Sequence, residues 1–242
     1  MNSGNIKKIQ KLQDKKHRKD SGLFVVEGEK NVLELINSPY EITELYLSAD
    51  SYKKYKYSFD KAKVKPVIAD EGEIQAMSSM ATNTRALAVV KTKEFGVPKF
   101  SGKILALVGI SDPGNLGTIV RIADWYGIET ILCSTDTVDM YNPKTVAASM
   151  GSLFRLKIHY GEMADFLKDT TLPILGATLD GNNAHNFSFP EEGILLVGSE
   201  SHGIPKTLEK FITEKVTVPR HGKAESLNAA IATAILCDNW LR

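Results

Sequence analysis

The sequence predicts an α/β protein of two domains, the second of which is built on a parallel sheet. Short β-like runs alternate with amphipathic helical stretches along the chain, and this alternation is typical of α/β folds. A segment with Gly96, Pro98 and mixed charge interrupts the alternation, as a linker does. We therefore assign residues 1–93 to a first domain, 94–101 to a linker and 102–242 to a second domain.

The composition is that of an ordinary globular protein. The 242 residues are 43 % hydrophobic and 24 % charged, which is enough to bury a core. No apolar run approaches the roughly 20 residues of a membrane span, and the basic N-terminus lacks the apolar segment of a secretory signal. Cys133 and Cys237 lie inside apolar runs, which favours free thiols in a reducing compartment. We expect a cytoplasmic protein.

The first domain opens with a basic helix, whose apolar stripe is Ile6, Ile9 and Leu12. Residues 1–95 hold 17 Lys and Arg against 13 Asp and Glu, so this domain is the better candidate for binding a polyanion. A solvated helix face is the alternative interpretation. The candidate RNA-binding cations are Lys7, Lys8, Lys11, Lys15, Lys16, Arg18 and Lys19.

The rest of the first domain reads as a small α/β unit. The predicted strands are 22–26, 42–48, 67–69 and 85–90. The predicted helices are an amphipathic stretch through 32–36 and a second one at 71–79. Residues 52–65 are rich in Lys and Tyr and are expected to form an exposed helix or loop.

The second domain shows a βαβ pattern that predicts a parallel sheet. The predicted strands are 104–108, 130–133, 156–158, 174–178 and 194–197, with a β-like run at 216; the predicted helices are 115–126, 142–150 and 162–168. Ligands of such sheets bind in loops at the carboxyl ends of strands. The loops 109–115, 198–204 and 219–228 are rich in polar residues and are therefore the candidate site.

A last helix follows the third of these loops. Its apolar residues recur at i, i+3, i+4, i+7 and i+8, which predicts one buried face made of Leu227, Ala230, Ile231, Ala234 and Ile235. The local interpretation of the residues before that face makes Ser226 the N-cap and Asn228 a first-turn residue. By the same reasoning Asn115 could be the N-cap of the helix at 115–126.

Several common chemistries have no support in the sequence. The GxGxxG dinucleotide fingerprint, the Walker A lysine motif and the GxSxG elbow are absent. No cluster of His, Cys, Asp and Glu has metal-ligand spacing, so we expect no metal.

Three segments together resemble the SpoU (TrmH-type) branch of the SPOUT methyltransferase superfamily. The first is Asn115-Leu-Gly-Thr-Ile-Val-Arg121-Ile-Ala-Asp124, which matches the signature N-L-G-x-x-x-R-x-A-D. The second, from Leu196 through Gly198-Ser199-Glu200 to Gly203, matches L-x-G-S-E-x-x-G. The third is Val218-Pro219 followed by Ser226-Leu227-Asn228, which matches I-P…S-L-N with Val in place of Ile.

The resemblance implies a fold, an activity and a cofactor. It implies a ribose 2′-O-methyltransferase that acts on rRNA or tRNA with S-adenosylmethionine as methyl donor. It also implies a SPOUT domain with a deep trefoil knot, and a homodimer whose site is completed across the interface. The basic helix and Phe24-Val-Val-Glu27-Gly28 resemble the small ribosomal-protein-like RNA-binding domain found ahead of such domains. That domain often carries a Thr-Pro pair near its end, where this chain has Thr82-Asn-Thr84-Arg85.

The family match also implies roles for single residues. Arg121 is placed at the ribose hydroxyl, and because a guanidinium is almost never deprotonated, we expect it to grip a phosphate and stabilise the forming alkoxide. General-base action by Arg121 is the alternative. Asn115, Glu200, Ser226 and Asn228 complete the candidate catalytic set, in which Glu200 could orient Asn115 or Arg121.

The candidate cofactor-binding residues follow strand ends. An adenine and a ribose are held mainly by backbone hydrogen bonds and apolar walls. Glycine at position 198 is explained, on this reading, by the need to let the ligand approach the backbone. The residues are Thr178, Leu179, Gly198, Ser199, Val218, Pro219 and Leu227.

Two other classes of function are consistent with parts of the sequence. A non-catalytic RNA-binding or ribosome-associated protein could keep the fold, but it would have no use for all five candidate catalytic residues. A small-molecule enzyme with a nucleotide cofactor is the third interpretation.

Overall fold

The secondary structure follows the predicted alternation in the computed structural model, which describes residues 3–80 and 82–242. The helices are α1 (Ser3–Lys11), α2 (Lys15–Ser21), α3 (Glu29–Ile36), α4 (Ala49–Lys54), α5 (Lys56–Phe59), α6 (Glu71–Met77), α7 (Pro113–Trp125), α8 (Pro143–Ser149), α9 (Met163–Lys168), α10 (Lys206–Glu209) and α11 (Ala229–Trp240). The strands are β1 (Leu23–Glu27), β2 (Ile42–Leu47), β3 (Val67–Ile68), β4 (Ala86–Lys91), β5 (Lys103–Leu107), β6 (Thr130–Ser134), β7 (Lys157–Gly161), β8 (Ile174–Asn183), β9 (Gly193–Val197) and β10 (Glu214–Thr217).

The chain divides into two units. The first comprises the described residues up to Glu94 together with Asp139–Phe154, and the second comprises Phe95–Val138 and Arg155–Arg242. The sequence pattern did not indicate that α8 and the short 3₁₀ turn at Ser152–Phe154 would pack with the first unit.

The first unit is built on a four-stranded sheet of order β1-β4-β2-β3. β4 pairs antiparallel with β1 and β2, whereas β3 runs parallel to β2. Ile9 of α1 packs with Val25, Leu87 and Val89 in one buried cluster. These strand residues occupy alternate positions, so each strand gives one face to this core.

The basic stretch at the start of the chain forms two helices rather than the single helix expected. Asp14 has extended backbone angles, with φ −86° and ψ 133°, and its side chain accepts hydrogen bonds from the amides of Lys16 and His17. It therefore caps a new helix, α2, which ends at Gly22 with φ 64°.

The loop at Thr82–Arg85 has a structural role. Asn83 is buried, and its side chain donates to the carbonyl of Ala86 at 3.0 Å. Arg85 forms ion pairs with Asp50 at 3.3 Å and with Glu71 at 3.5 Å. These contacts fix the entry to β4.

The second unit is built on a six-stranded sheet of order β10-β8-β9-β5-β6-β7. Every pair of neighbouring strands is parallel, which confirms the prediction. All strands therefore present their carboxyl ends at one edge, where the polar loops begin. The deep trefoil knot implied by the resemblance stays a prediction.

β8 is longer and less regular than the sequence suggested. Its pairing with β10 jumps from Lys215 opposite Gly176 to Val216 opposite Asn182. The intervening residues 177–181 therefore leave the regular ladder and project beyond it. A Cβ at Gly181 would lie 2.5 Å from the backbone carbon of Lys215. Only glycine therefore fits at the point where β8 resumes its pairing with β10.

The last helix buries a different face from the one predicted. α11 begins at Ala229 rather than before Leu227, and Leu227 and Ile231 are 44 % and 51 % exposed. The expected face was wrong because α11 is apolar on nearly all sides, so the spacing of apolar residues could not single out the buried one. The buried residues of α11 are Ala229, Ala230, Thr233, Leu236, Cys237 and Trp240.

Candidate active site

A cavity of about 720 Å³ lies at the carboxyl edge of the second unit's sheet. Its walls come from the irregular part of β8, from the turn after β9 and from the loop between β10 and α11. Ala232 and Leu236 of α11 supply part of its apolar lining. This is the edge where parallel sheets bind ligands.

All seven candidate cofactor-binding residues line this cavity. Thr178 and Leu179 come from the projecting part of β8, Gly198 and Ser199 from the turn after β9, and the other three from the loop after β10. The Oγ1 atom of Thr178 is buried and has no hydrogen-bond partner among the described residues. An unpaired buried hydroxyl costs free energy unless a ligand satisfies it.

Gly198 is required by the fold of its own turn. A Cβ at this position would lie 2.1 Å from the carbonyl carbon and oxygen of Gly203. Ser199 and Gly203 form an isolated antiparallel bridge that folds the turn back on itself. Gly203 adopts φ 64°, which a side chain would disfavour, so the two glycines together permit this turn.

Three loops meet in one hydrogen-bonded network beside the cavity. Asn115 Nδ2 donates to Glu200 Oε1 at 2.5 Å, and Asn228 Nδ2 donates to Asn115 Oδ1 at 2.9 Å. The amide of Ala229 donates to the same Glu200 oxygen at 3.3 Å. The carboxylate of Glu200 thus links the starts of α7 and α11.

The helix caps differ from those expected. Asp112 caps α7, because its Oδ1 accepts from the amide of Asn115 at 2.8 Å; Asn115 is therefore not the cap. Asn228 caps α11, because its Oδ1 accepts from the amides of Ala230 and Ile231. The expectation that Ser226 is the cap was wrong, and Ser226 instead lines the cavity.

Arg121 lies on the exposed side of α7. Its guanidinium forms no hydrogen bond or ion pair with any described residue, and it is not among the residues that line the cavity. It therefore does not interact with Glu200 of the same chain. Trp125, one turn further along α7, is 83 % exposed.

The predicted RNA-binding cations divide into two kinds. The six lysines are exposed on α1 and α2, and of these Lys8 pairs with Glu44 at 3.3 Å. Arg18 is only 3 % exposed, and its guanidinium donates to Asp139 Oδ2 and to the carbonyls of Leu12 and Gln13. Including Arg18 among the phosphate-binding residues was wrong, because its donors are already used inside the first unit.

Two charged residues that line the cavity, Asp180 and Lys215, were not among the site residues predicted from the sequence. Asp180 and Lys215 face each other at 3.2 Å, and the hydrogen bond from Lys215 lowers the pKa of the Asp180 carboxyl. Charged residues in strands are ordinarily expected to face solvent. Asp180 and Lys215 line the cavity because the register shifts between β8 and β10.

In residues 3–80 and 82–242, no group of three or more His, Cys, Asp or Glu side chains could hold a metal ion. The helices within these ranges are all too short or too polar to cross a membrane.

The parallel sheet, the cavity at its carboxyl edge and the linked loops are the features of an α/β domain that binds a ligand at its strand ends. The chain belongs to the SpoU rRNA Methylase family, whose profile matches residues 102–238. The profile of the MRM3-like substrate binding domain matches residues 3–88.

Individual relatives match over nearly the whole chain. The 23S rRNA (guanosine(2553)-2′-O)-methyltransferase RlmP of Bacillus subtilis is 30 % identical over 237 residues, which are 96 % of this chain and 93 % of the relative. A TrmH-family structure from Porphyromonas gingivalis is 34 % identical with a TM-score of 0.88, covering 99 % of this chain and 98 % of that one. An AdoMet-bound rRNA methyltransferase from Sinorhizobium meliloti is 26 % identical with a TM-score of 0.87, covering 98 % and 94 %.

Proposed function

We propose that this protein transfers a methyl group from S-adenosylmethionine to a ribose 2′-hydroxyl of ribosomal RNA. The observation that carries the proposal is the meeting of Asn115, Glu200 and Asn228 in one network beside the cavity. These residues come from three separate motifs of the family. The full-length similarity to a 23S rRNA 2′-O-methyltransferase supports rRNA rather than tRNA as the substrate class.

The cavity fits the proposed cofactor. Its volume of about 720 Å³ lies within the range of sites for molecules of this size. Thr178 Oγ1 offers an unused polar atom, and Gly198 in the glycine-containing turn lines the cavity. When bound, S-adenosylmethionine supplies an activated methyl group on a sulfonium. Val218 and Leu227 supply apolar walls for it, and Pro219 and Ser199 lie beside them.

Arg121 is the proposed catalytic residue. Its guanidinium is exposed and has no partner among the described residues, so it is available to an RNA phosphate and to the oxygen of the reacting hydroxyl. A fixed positive charge stabilises the ribose oxygen as its proton passes to solvent water. Glu200, through Asn115, holds the start of the same helix in position.

We further propose that the active site is completed in a homodimer. α7 and α11 pack against each other, and together they expose Trp125 and Ile231 at 83 % and 51 %. Large exposed apolar side chains on neighbouring helices are typical of a protein interface. Because Arg121 lies on this helix pair and not at its own chain's cavity, we expect it to serve the cavity of the second subunit.

The two parts of the chain have different proposed tasks. Residues 1–93 bind the RNA, for which the exposed lysines of α1 and α2 and the substrate-binding-domain match provide support. Residues 102–242 carry the transfer site. The proposed location is the cytoplasm, because Cys133 and Cys237 are free and buried, as expected in a reducing compartment.

The activity is tested with the Arg121→Ala variant. We expect methyl transfer from labelled S-adenosylmethionine to rRNA to be lost, while calorimetry still detects binding of the cofactor. Lys168→Ala, which removes an exposed charge on α9, is the control and should retain activity. An active Arg121→Ala variant would refute the assignment. Failure of the wild-type chain to bind S-adenosylmethionine, with or without RNA, would instead support a non-catalytic RNA-binding protein.

The composite site is tested by mixing two inactive variants. Arg121→Ala keeps an intact cavity, whereas Glu200→Ala, which removes the acceptor for Asn115 Nδ2 and the Ala229 amide, keeps the Arg121 side chain. If the arginine acts across a dimer interface, subunit exchange between the variants creates one complete site and restores activity. Activity that stays absent after exchange, verified by mass spectrometry of the mixed dimer, would contradict a site shared between subunits.

A further inference from the structure

The segment 52–65 of the first unit carries basic and aromatic side chains that the site described above does not use. It spans the end of α4, all of α5 and the loop that leads to β3. The only acidic residue in the segment is Asp60. The lysines are all exposed: Lys53, Lys54, Lys56, Lys61, Lys63 and Lys65.

Most of this positive charge is not neutralised within the chain. Lys54 pairs with Glu29 at 3.5 Å, and Lys56 pairs with Asp60 at 2.5 Å. The ammonium groups of the other four lysines form no hydrogen bond or ion pair with the described residues. Four unpaired cations in one short segment create a local positive potential that attracts a polyanion.

An exposed aromatic side chain, Tyr57, lies within this basic segment and distinguishes the segment from an ordinary solvated face of charged residues. Its side chain is 79 % exposed, and its hydroxyl has no hydrogen bond to a described residue. The ammonium of Lys61 lies 4.5 Å from the ring centroid. The neighbouring tyrosines have structural contacts, since Tyr55 packs on Phe59 at 6.2 Å between ring centroids and Tyr52 donates to Asp60 at 2.9 Å.

An exposed aromatic ring beside unpaired cations is the arrangement that binds unpaired nucleic acid. Bases stack on the ring, and the backbone phosphates meet the cations. A duplex cannot use such a ring, because its bases are already stacked on each other. Within the first unit, α5 contacts α3 and α4, whereas α1 contacts α6, so this segment is separate from the basic helix at the start of the chain.

We propose that Tyr57 with Lys53, Lys61, Lys63 and Lys65 forms a second RNA-contacting surface, the Tyr57 surface, which binds an unpaired stretch of the substrate. A base stacks on Tyr57, and the lysines hold the phosphates next to it. This inference rests on the proposed function, because it assumes an RNA substrate.

Stacking is tested with Tyr57 variants of the full chain and a labelled oligouridine of about a dozen nucleotides, a length that stacking grooves cover. Tyr57→Ala should weaken binding about tenfold, which is within the range for losing one stacked base. Tyr57→Phe should bind as the wild type does, because it keeps the ring, and Tyr52→Phe is the matched control. A Tyr57→Ala variant with wild-type affinity would overturn the proposal. So would an equal loss of affinity for a duplex of the same length.

The charge contribution is tested by replacing Lys53, Lys61, Lys63 and Lys65 together with Gln. The slope of log affinity against log salt should fall by about 0.7 for each phosphate that the variant no longer neutralises. The control carries the same four-charge change on exposed lysines of the second unit, namely Lys99, Lys168, Lys206 and Lys210. Equal slopes for the two variants would overturn the proposal.

Two further measurements separate this inference from the proposed function. S-adenosylmethionine affinity and thermal unfolding of each variant should match the wild type, which shows that the fold is intact. If the wild-type chain methylates rRNA but the Tyr57 surface variants bind RNA normally, only this inference fails. If the wild-type chain binds no RNA at all, both fail.

Discussion

Arg18 shows how a basic residue in a basic segment can serve the fold alone. Its guanidinium is buried and donates to Asp139 at 2.7 Å and to two backbone carbonyls, so none of its charge is offered to solvent. The neighbouring Lys19 is exposed. Sequence spacing could not separate these two cations, because the partner, Asp139, lies 121 positions away.

We expect Arg18→Met to destabilise the protein by about 3 kcal/mol, because it leaves the Asp139 carboxylate without its partner. Lys19→Met should change stability by less than about 0.5 kcal/mol. Urea unfolding followed by circular dichroism measures both. Adding Asp139→Leu to Arg18→Met should recover part of the loss, since no unpaired charge remains. Equal effects of the Arg18 and Lys19 variants would show that the buried pair does not contribute.

Gly198 and Gly222 both line the cavity, but only one of them is sterically constrained. A Cβ at Gly198 would meet backbone atoms of Gly203 at 2.1 Å, whereas a Cβ at Gly222 would meet nothing within 4 Å. Gly198→Ala should therefore cost about 1–3 kcal/mol and reduce S-adenosylmethionine affinity, because the turn must shift. Gly222→Ala should do neither. Thermal unfolding and calorimetric titration test this pair, and wild-type cofactor affinity in Gly198→Ala would contradict it.

At the scale of elements, the starts of α7 and α11 serve both folding and the site. Asn228 uses Oδ1 to cap α11 and Nδ2 to hold Asn115. Asp112 caps α7, which leaves the side chain of Asn115 free to join the network with Glu200. The two functions of Asn228 use different atoms, so they can be separated by substitution.

Asn228→Asp should keep the cap and lose the link to Asn115. The carboxylate still accepts from the amides of α11, and a negative charge is favourable at a helix start. We expect stability within about 0.5 kcal/mol of the wild type but slower methyl transfer. Asn228→Ala should lose the cap as well, at about 1 kcal/mol. Chemical denaturation and single-turnover methylation distinguish the two. Full activity in Asn228→Asp would mean that the hydrogen bond to Asn115 is not needed.

At the scale of the whole molecule, both cysteines are buried in the second unit. Burial raises the pKa of the Cys133 thiol, and it raises the pKa of Cys237 from 9.0 to about 12. The folded protein therefore holds these protons more tightly than the unfolded chain does. The resulting stability is fully present below pH 9 and is lost as the pH rises from 9 toward 12.

We expect the native protein to react slowly with a thiol reagent at pH 8 and to react at both cysteines once it is unfolded in urea. The free energy of unfolding should decline between pH 9 and pH 12, and Cys237→Ala should make this decline shallower. Rapid labelling of the folded protein, or a stability that is flat across this pH range, would contradict the burial of the thiols.

The sequence alone determined the alternation of elements, the parallel sheet and the family, because these depend on local periodicity and on contiguous motifs. It also identified part of the cavity lining, since the turn after β9 and the loop after β10 lie next to strand ends, but it did not identify Asp180 or Lys215. It could not identify Arg18 as structural, because that role depends on Asp139, which lies 121 positions away.

Only the tertiary structure decided how the loops meet. Glu200 contacts Asn115 across 85 positions, and Asn228 contacts Asn115 across 113 positions. The register shift between β8 and β10 likewise decided that residues 177–181 leave the ladder and that 177–180 line the cavity. Hydrogen bonds between residues far apart in the chain leave no local periodicity, so such pairings exist only once the sheet has brought its strand ends to one edge.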